Sequence, residues 1–420
     1  MVLRCGLFSI CKNRINWQHQ RYTKHNEDIM AYTLSKEDLK LDLYAAYHMA
    51  KRHKQSKHYV RVFERRLDEN LQEICDSLFH RYYQPEPSSC FIVERPKKRE
   101  VFAAQFRDRV VHHLYYNYTH TIFERTFIQD CYSCIRGRGT HYGIERLKHH
   151  ILSESQNYTS RCYGMNLDIR GYFMHINRNI LLDIAVKNLR KMANHKVSPG
   201  SSQTWADIID IDFLCWLSRE IILLDPKLSC KIAGKPEEWD DLDYNKSLFH
   251  TPDGCGLPIG NLTSQLLSNV YLNEFDQFMK RDLHCKHYGR YVDDSYVIST
   301  DKEWLLSLVP KIDDFLHERL GLELHRGKTQ IHEVRYGVEF LGGYVKPFRT
   351  YMSHAALRRL RHNIDQLPTN NRGQLFRSIN AMLGVMDHFN SFRLRKLLFD
   401  VEPFTKHGYF DRDMTTFTLY

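Results

Sequence analysis

The chain has 420 residues, 42% hydrophobic and 26% charged, with a formal net charge of +10. That length and apolar content exclude a largely disordered chain and support one large enzyme domain or two to three subdomains with real cores. No run reaches the roughly 18 apolar residues of a membrane span, and the basic balance favours a polyanionic partner. The 11 cysteines are odd in number and scattered, which argues for reduced thiols in a cytosolic compartment rather than a disulfide framework.

In chain order, the first 29 residues hold only a short, interrupted apolar patch and read as a flexible extension or an upstream start before Met30. From about 36 to 82 the pattern is helical and basic, with Ser35 as N-cap and Asp38 three residues on. The run 51–66, KRHKQSKHYVRVFERR, fits a phosphate backbone or simply a solvated helix face. Phe91 to Val93 and Val101 to Ala103 read as short strands joined by a basic turn at Pro96 to Arg99. Val110, Val111, Leu114 and Tyr115 then recur at helical spacing. Cys131 and Cys134 form a CxxC with no second ligand pair at zinc-finger spacing. Gly137 and Gly139 alternate with Arg136 and Arg138, which suits a phosphate or any exposed loop. Between about 196 and 250 lies an insert with one helical piece, 211–224, in polar flanks. Trp304 to Leu320 marks a packed helix ended by Gly321, and the tail beyond Lys346 is helical and basic.

Chemistry concentrates in two segments. In HYGRYVDDSYVIST (287–300), strand-like stretches Tyr288 to Val292 and Tyr296 to Ser299 flank adjacent acids, so that Val292–Asp293–Asp294 forms a hairpin tip. Neighbouring carboxylates in apolar flanks repel one another, and hard oxygen ligands suit a divalent cation such as magnesium. In YGMNLDIRGYF (163–173), Asp168 ends the strand Met165 to Leu167 before a turn at Arg170–Gly171 and a helix. Alone it reads as a cap or turn residue; paired with Asp293 it reads as a metal ligand. In GCGLPIGNLTSQLLSNVYLNEFDQFM (254–279), Gly254, Gly256 and Gly260 permit close backbone approach to a ligand. Leu267, Tyr271, Phe275 and Phe278 mark the core face of the helix that follows.

These motifs, in this order, resemble reverse transcriptases from about residue 85 to the early 400s. YVDD (291–294) is similar to the family's catalytic hairpin and LDIRGYF (167–173) to its first catalytic strand. The resemblance implies an RNA-templated DNA polymerase working by two-metal phosphoryl transfer. Two magnesium ions, with manganese as a substitute, would be held by Asp168, Asp293, Asp294 and Ile169. Lys328 in HRGKTQ would be a proton donor near the pyrophosphate. Nucleotide contacts would come from Lys97, Arg99, Ile169, Phe173, Ile259, Gly260, Ser264 and Gln265, with Phe173 as the gate against a 2′-hydroxyl; core packing is the other reading of that ring. FLGGYV (340–345) resembles the primer grip, at Phe340, Leu341 and Gly342.

The segment Ile259 to Gln265 reads IGxxxSQ where many relatives carry QGxxxSP. That resembles the reverse transcriptases of diversity-generating retroelements, as do PKKREVFAAQFRDRVVHHL (96–114) and VEFLGGYVKPFRTYMS (338–353). The implied job is mutagenic retrohoming: a template-repeat RNA is copied into cDNA with errors at template adenines, for replacement of a variable repeat in a target gene. Partners would be the RNA template, the DNA primer or cDNA, deoxynucleotides, and a small basic accessory protein that forms a ring; no membrane is involved. The setting would be the cytoplasm, with a bacterial or phage gene. A retron or antiphage-defence reverse transcriptase shares the catalytic motifs. A silent RNA-binding scaffold has no need of three close carboxylates.

The expected architecture is an α+β right-hand polymerase with fingers, an antiparallel-sheet palm and a C-terminal helical thumb. Residues 1–60 would form an N-terminal extension and basic helix. Fingers and palm would span 61–345, interrupted by the insert, and 346–420 would be the thumb. A short helical tail of this kind suits helix-pair packing rather than a second nuclease domain.

Overall fold

The strand-like stretches within 287–299 and 163–167 build a sheet, and the two strands of the hairpin are buried along most of their length. In the computed structural model, which describes residues 32–94 and 97–420, the strands are β1 (Ser89–Val93), β2 (Arg99–Ala103), β3 (Tyr163–Leu167), β4 (Lys231–Ile232), β5 (His287–Tyr291) and β6 (Asp294–Ser299). They continue with β7 (Gln330–Glu333), β8 (Val338–Phe340), β9 (Gly343–Lys346), β10 (Arg349–Met352), β11 (Gly408–Phe410) and β12 (Phe417–Leu419). The extension expected over residues 1–29 and Pro96 of the basic turn lie outside the described residues. No helix among the described residues is long and apolar enough to cross a membrane.

The chain divides into two compact units, 1–126 with 177–267, and 127–176 with 268–420. These cut the sequence differently from a division at residues 60 and 345.

In the first unit, helix Lys36–Ala50 buries Leu39, Leu43, Ala46, Tyr47 and Ala50 and packs on helix Phe106–Glu124. Its start is fixed as the sequence indicates, with Ser35 Oγ accepting from the Asp38 amide at 3.1 Å, a cap worth about 1 kcal/mol. β1 and β2 pair antiparallel from Ser89↔Ala103 to Val93↔Arg99. The insert, whose helix runs Ile211–Ile222, adds β4 parallel to β1. Glu100 explains why that addition holds. Its carboxylate, 1% exposed, accepts from Trp239 Nε1 (2.8 Å), Ser247 Oγ (2.9 Å) and the Leu248 amide (2.7 Å). A buried charge needs such donors.

In the second unit, a four-stranded sheet has the order β5-β6-β3-β7, antiparallel throughout. Helix Thr140–Glu154 packs on β5 and β6 through Ile144, Leu147 and Ile151, against Tyr296, Ile298 and Val338. A buried polar chain seals this layer. Tyr132 Oη meets Tyr296 Oη at 2.8 Å, Tyr296 Oη meets His150 Nδ1 at 3.0 Å, and Arg146 Nε donates to Asp130 at 2.7 Å. Helix Lys302–Leu320 buries Leu305, Leu308, Ile312, Leu316 and Leu320 and ends at Gly321, left-handed at φ 60°. A second sheet, β8-β9-β10, leads to helices His354–Asp365, Arg372–Met386 and Phe392–Phe399 around Leu375, Ile379, Leu383 and Phe399. The tail is not helical to its end. β11 pairs with β12, and Phe417 is buried in the same cluster.

Candidate active site

The register of the second unit's sheet fixes where its acids lie. β3 pairs with β6 through Leu167↔Ser295, and β5 with β6 through Tyr291↔Asp294. Asp168, one residue beyond β3, therefore falls at the same sheet end as Asp293 and Asp294. The hairpin is tighter than the sequence suggests: Val292 and Asp293 form the two-residue turn and Asp294 already belongs to β6. Val292 sits at φ 57°, a conformation β-branched residues rarely adopt.

Lys328 pairs with the first of these acids. Its Nζ lies 2.5 Å from Asp168 Oδ2, the Asp168 side chain being 14% exposed. The lysine pKa is raised, first by that hydrogen bond and then by the charges of Asp168, Asp294 and Asp293. One ammonium thus senses all three carboxylates, which is the positive charge that such a cluster demands. Among the described residues no three His, Cys, Asp or Glu side chains converge into a ready metal cage; Asp168 is turned onto Lys328 instead. The donor set, all oxygen and already holding a cation, nonetheless fits a hard divalent ion. Ile169 forms a bridge with Leu324 whose bonds run from the Arg170 amide to Glu323 O and from the His325 amide to Asp168 O. Those bonds engage its neighbours rather than the Ile169 carbonyl.

Beyond Asp168 the chain turns at Gly171, φ 52°, into the single helical turn Tyr172–His175. Tyr172 is buried, donating to Ser268 O at 2.6 Å, whereas Phe173 is half-buried. Leu341 and Gly342 form the turn between β8 and β9, at φ 51° and 82°. Phe340 is 5% exposed and packs on Tyr132 and Tyr296, so its ring serves the core.

The remaining nucleotide-contact candidates lie in the first unit. Lys97 and Arg99 are exposed at the start of β2, and among the described residues neither has an ion-pair partner. The Phe102 amide donates to Ile259 O at 2.9 Å and the Ala104 amide to Asn261 Oδ1 at 3.2 Å, which ties the IGN loop to β2. Gly260 and Gln265 are exposed, Ile259 is half-buried and Ser264 is buried at 4%. Leu267, Tyr271 and Phe275 are buried as their spacing predicts, and Phe278 stacks on Phe315 at 4.1 Å. The Gly137–Gly139 loop gives less to an anion than its composition suggests, because Arg138 donates to the carbonyls of Ile128 and Cys131.

Sequence reasoning missed Arg290, Asp276, Asn269 and Ser133, the buried polar groups beneath the Val292 turn. The arginine directly before the YVDD motif was the available signal, since a charged residue in an otherwise inward-facing strand needs a partner.

An antiparallel sheet with three carboxylates at one end, preceded in the chain by a helical region with a small sheet and followed by a helical tail, defines a right-hand polymerase with fingers, palm and thumb. A family profile described as reverse transcriptase (RNA-dependent DNA polymerase) matches residues 95–345, and the chain belongs to that family. It is 23% identical over 315 residues to Protein YkfC of Escherichia coli strain K12, covering 67% of this chain and 72% of that protein. Among solved structures it is similar to apo telomerase from Candida tropicalis, with a TM-score of 0.46, 11% identity and 79% of this chain covered. Telomerase from Candida albicans, bound to a fragment of telomeric RNA, gives a TM-score of 0.47 at 10% identity over 78% of this chain. The chain spans 62% and 56% of the length of those telomerase chains.

Proposed function

We propose that this chain is the reverse transcriptase of a diversity-generating retroelement, copying a template-repeat RNA into cDNA with errors directed to template adenines. The observation that carries the catalytic part is the strand register that brings Asp168, Asp293 and Asp294 to one end of the sheet, with Lys328 Nζ 2.5 Å from Asp168. The subtype rests on Ile259 and Gln265 in the IGxxxSQ segment.

Asp168, Asp293, Asp294 and the Ile169 carbonyl would hold two divalent ions, magnesium by preference. When bound, such ions lower the pKa of the primer 3′-hydroxyl and neutralise the triphosphate. The 3′-oxygen bonds to the α-phosphorus as the bond to the pyrophosphate oxygen breaks, and Lys328, kept protonated, donates a proton to the leaving group. Lys97 and Arg99 are proposed to neutralise phosphate charge, and Leu341 and Gly342 to hold the primer backbone. The RNA template, the primer, deoxynucleotides and a ring-forming basic accessory protein are the proposed partners, in the cytoplasm of a bacterial host.

Phe173 is proposed to exclude the 2′-hydroxyl. Phe173→Val then raises ribonucleotide use roughly 10- to 100-fold relative to deoxynucleotides, as pocket discrimination of this size allows. The ratio of the two kcat/KM values measures it, and an unchanged ratio assigns Phe173 to packing alone.

The test of the whole reading is RNA-templated primer extension with products sequenced and errors sorted by template base. Errors concentrated at template adenines support the diversity-generating assignment; even, low error keeps the polymerase and removes the subtype. In the same assay, Ile259→Gln/Gln265→Pro is expected to lower adenine errors several-fold. An untouched error spectrum would separate those two residues from fidelity.

A further inference from the structure

The turn that carries Asp293 is built against its own preference. With positive φ at the first central residue only, Val292 occupies the position that two-residue hairpins of this kind give to glycine. A β-branched residue there drifts back to negative φ unless its surroundings forbid it, and the drift would re-aim the carboxylates of Asp293 and Asp294 that follow it.

The surroundings do forbid it. Both backbone polar groups of Val292 are held from below: its amide donates to Ser133 Oγ at 3.2 Å, and its carbonyl accepts from Arg290 Nη1 at 2.8 Å. Neither clamp is free to move. Ser133 Oγ donates to Asn269 Oδ1 at 2.8 Å while Asn269 Nδ2 donates back to Ser133 O at 2.8 Å. Arg290 also reaches Asn269 Oδ1 at 3.2 Å and grips Asp276 through Nε and Nη2 at 2.7 and 2.6 Å. Tyr288 Oη adds a bond to Asp276 at 2.7 Å. Arg290 and Asp276 are both 0% exposed, and Ser133 and Asn269 are 1% exposed. The segment bearing Ser133 is itself stitched to β5, with the Arg290 amide donating to Asp130 O and the Tyr132 amide to Arg290 O, each at 2.9 Å.

We infer that Ser133, Asn269 and Arg290, anchored by Asp276, are positioning residues that hold the Val292 turn in its left-handed conformation and thereby aim Asp293 and Asp294. The inference rests on the reading that those two aspartates are catalytic. Simple core support is the competing role, and it differs in one respect: it takes no notice of which residue occupies position 292.

Arg290 is the wrong probe, because its removal leaves the Asp276 carboxylate buried and unpaired and the unit unfolds. Ser133→Ala removes the two hydrogen bonds of its Oγ, from the Val292 amide and to Asn269 Oδ1, and leaves the ion pair intact. In the otherwise native chain it lowers kcat for RNA-templated extension about ten-fold, with the deoxynucleotide KM within about two-fold. Glycine adopts positive φ freely. In a Val292→Gly background the same Ser133→Ala change should therefore lower kcat by less than about three-fold. Thermal melting of all four proteins shows that the comparison is made on folded chains. Equal losses in both backgrounds, or no loss in the first, overturn the inference and leave the network as core support. Asp293→Asn, run alongside, separates the two readings: if that variant still extends primers, the catalytic assignment itself has failed, and the positioning role with it.

Discussion

Asp293→Asn abolishes RNA-templated extension, lowering the rate by at least about 10³-fold, while the chain melts where the wild type does and still binds primer–template. The size follows from charge. Exchanging a carboxylate for an amide removes one negative charge from the group of three proposed to hold the cations, and metal-assisted stabilisation of the reacting phosphate is worth several kcal/mol. Folding is spared because Asp293 is only partly buried and the bonds that clamp the turn from below are made by the backbone of Val292, which the exchange leaves in place. Asp168→Asn behaves alike in activity, with one addition. The Lys328 ammonium loses the partner at 2.5 Å that raises its pKa, and its pKa falls back toward the ordinary lysine value. Steady-state extension against magnesium concentration, with binding measured on the same samples, makes the check. An Asp293→Asn protein that copies RNA at a tenth of the normal rate or better would remove the carboxylate cluster from catalysis.

Gly260→Ala is the second large effect, and it acts through the first unit. A Cβ at position 260 would stand 2.8 Å from Val101 Cγ1 and 3.3 Å from the Phe102 carbonyl oxygen, on a backbone at φ 123°. The loop cannot step aside, because Ile259 O and the Asn261 side chain on either side of the glycine are bonded to β2. Strain from the backbone and overpacking against β2 together cost about 3 kcal/mol. Melting should fall by roughly 6 to 12 °C for a unit of this size. Extension should fall as well, with the loss appearing chiefly in the deoxynucleotide KM. A variant that melts and copies like the wild type would show that β2 yields at this point, and would weaken the case for a rigid nucleotide loop.

Much of the site was legible because its signals are local. The hairpin shows itself by two strand-like stretches that flank paired acids. Ser35 and Gly321 announce helix ends by capping chemistry, and the four-four-three spacing after Leu267 gives the core face of its helix. What escaped reading is what needs tertiary contact. Arg290 and Asp276 lie on different elements and look like ordinary charges until the fold brings them to 2.6 Å. β4 is two residues long with Ile232 62% exposed, so no alternation betrays it. The β11–β12 hairpin sits at the end of a basic helical tail, and its strands of three residues each are too short to register a period. Val292 is the instructive case: local preference argues against a left-handed turn there, and buried neighbours override it.

The three donors that surround Glu100 all come from one distant stretch, Trp239 to Leu248. The insert is therefore no removable ornament. Among related chains, loss of that stretch and replacement of the glutamate should travel together, since either change alone strands a charge or leaves three donors unmet. A chimera that exchanges the insert between two relatives must carry position 100 with it.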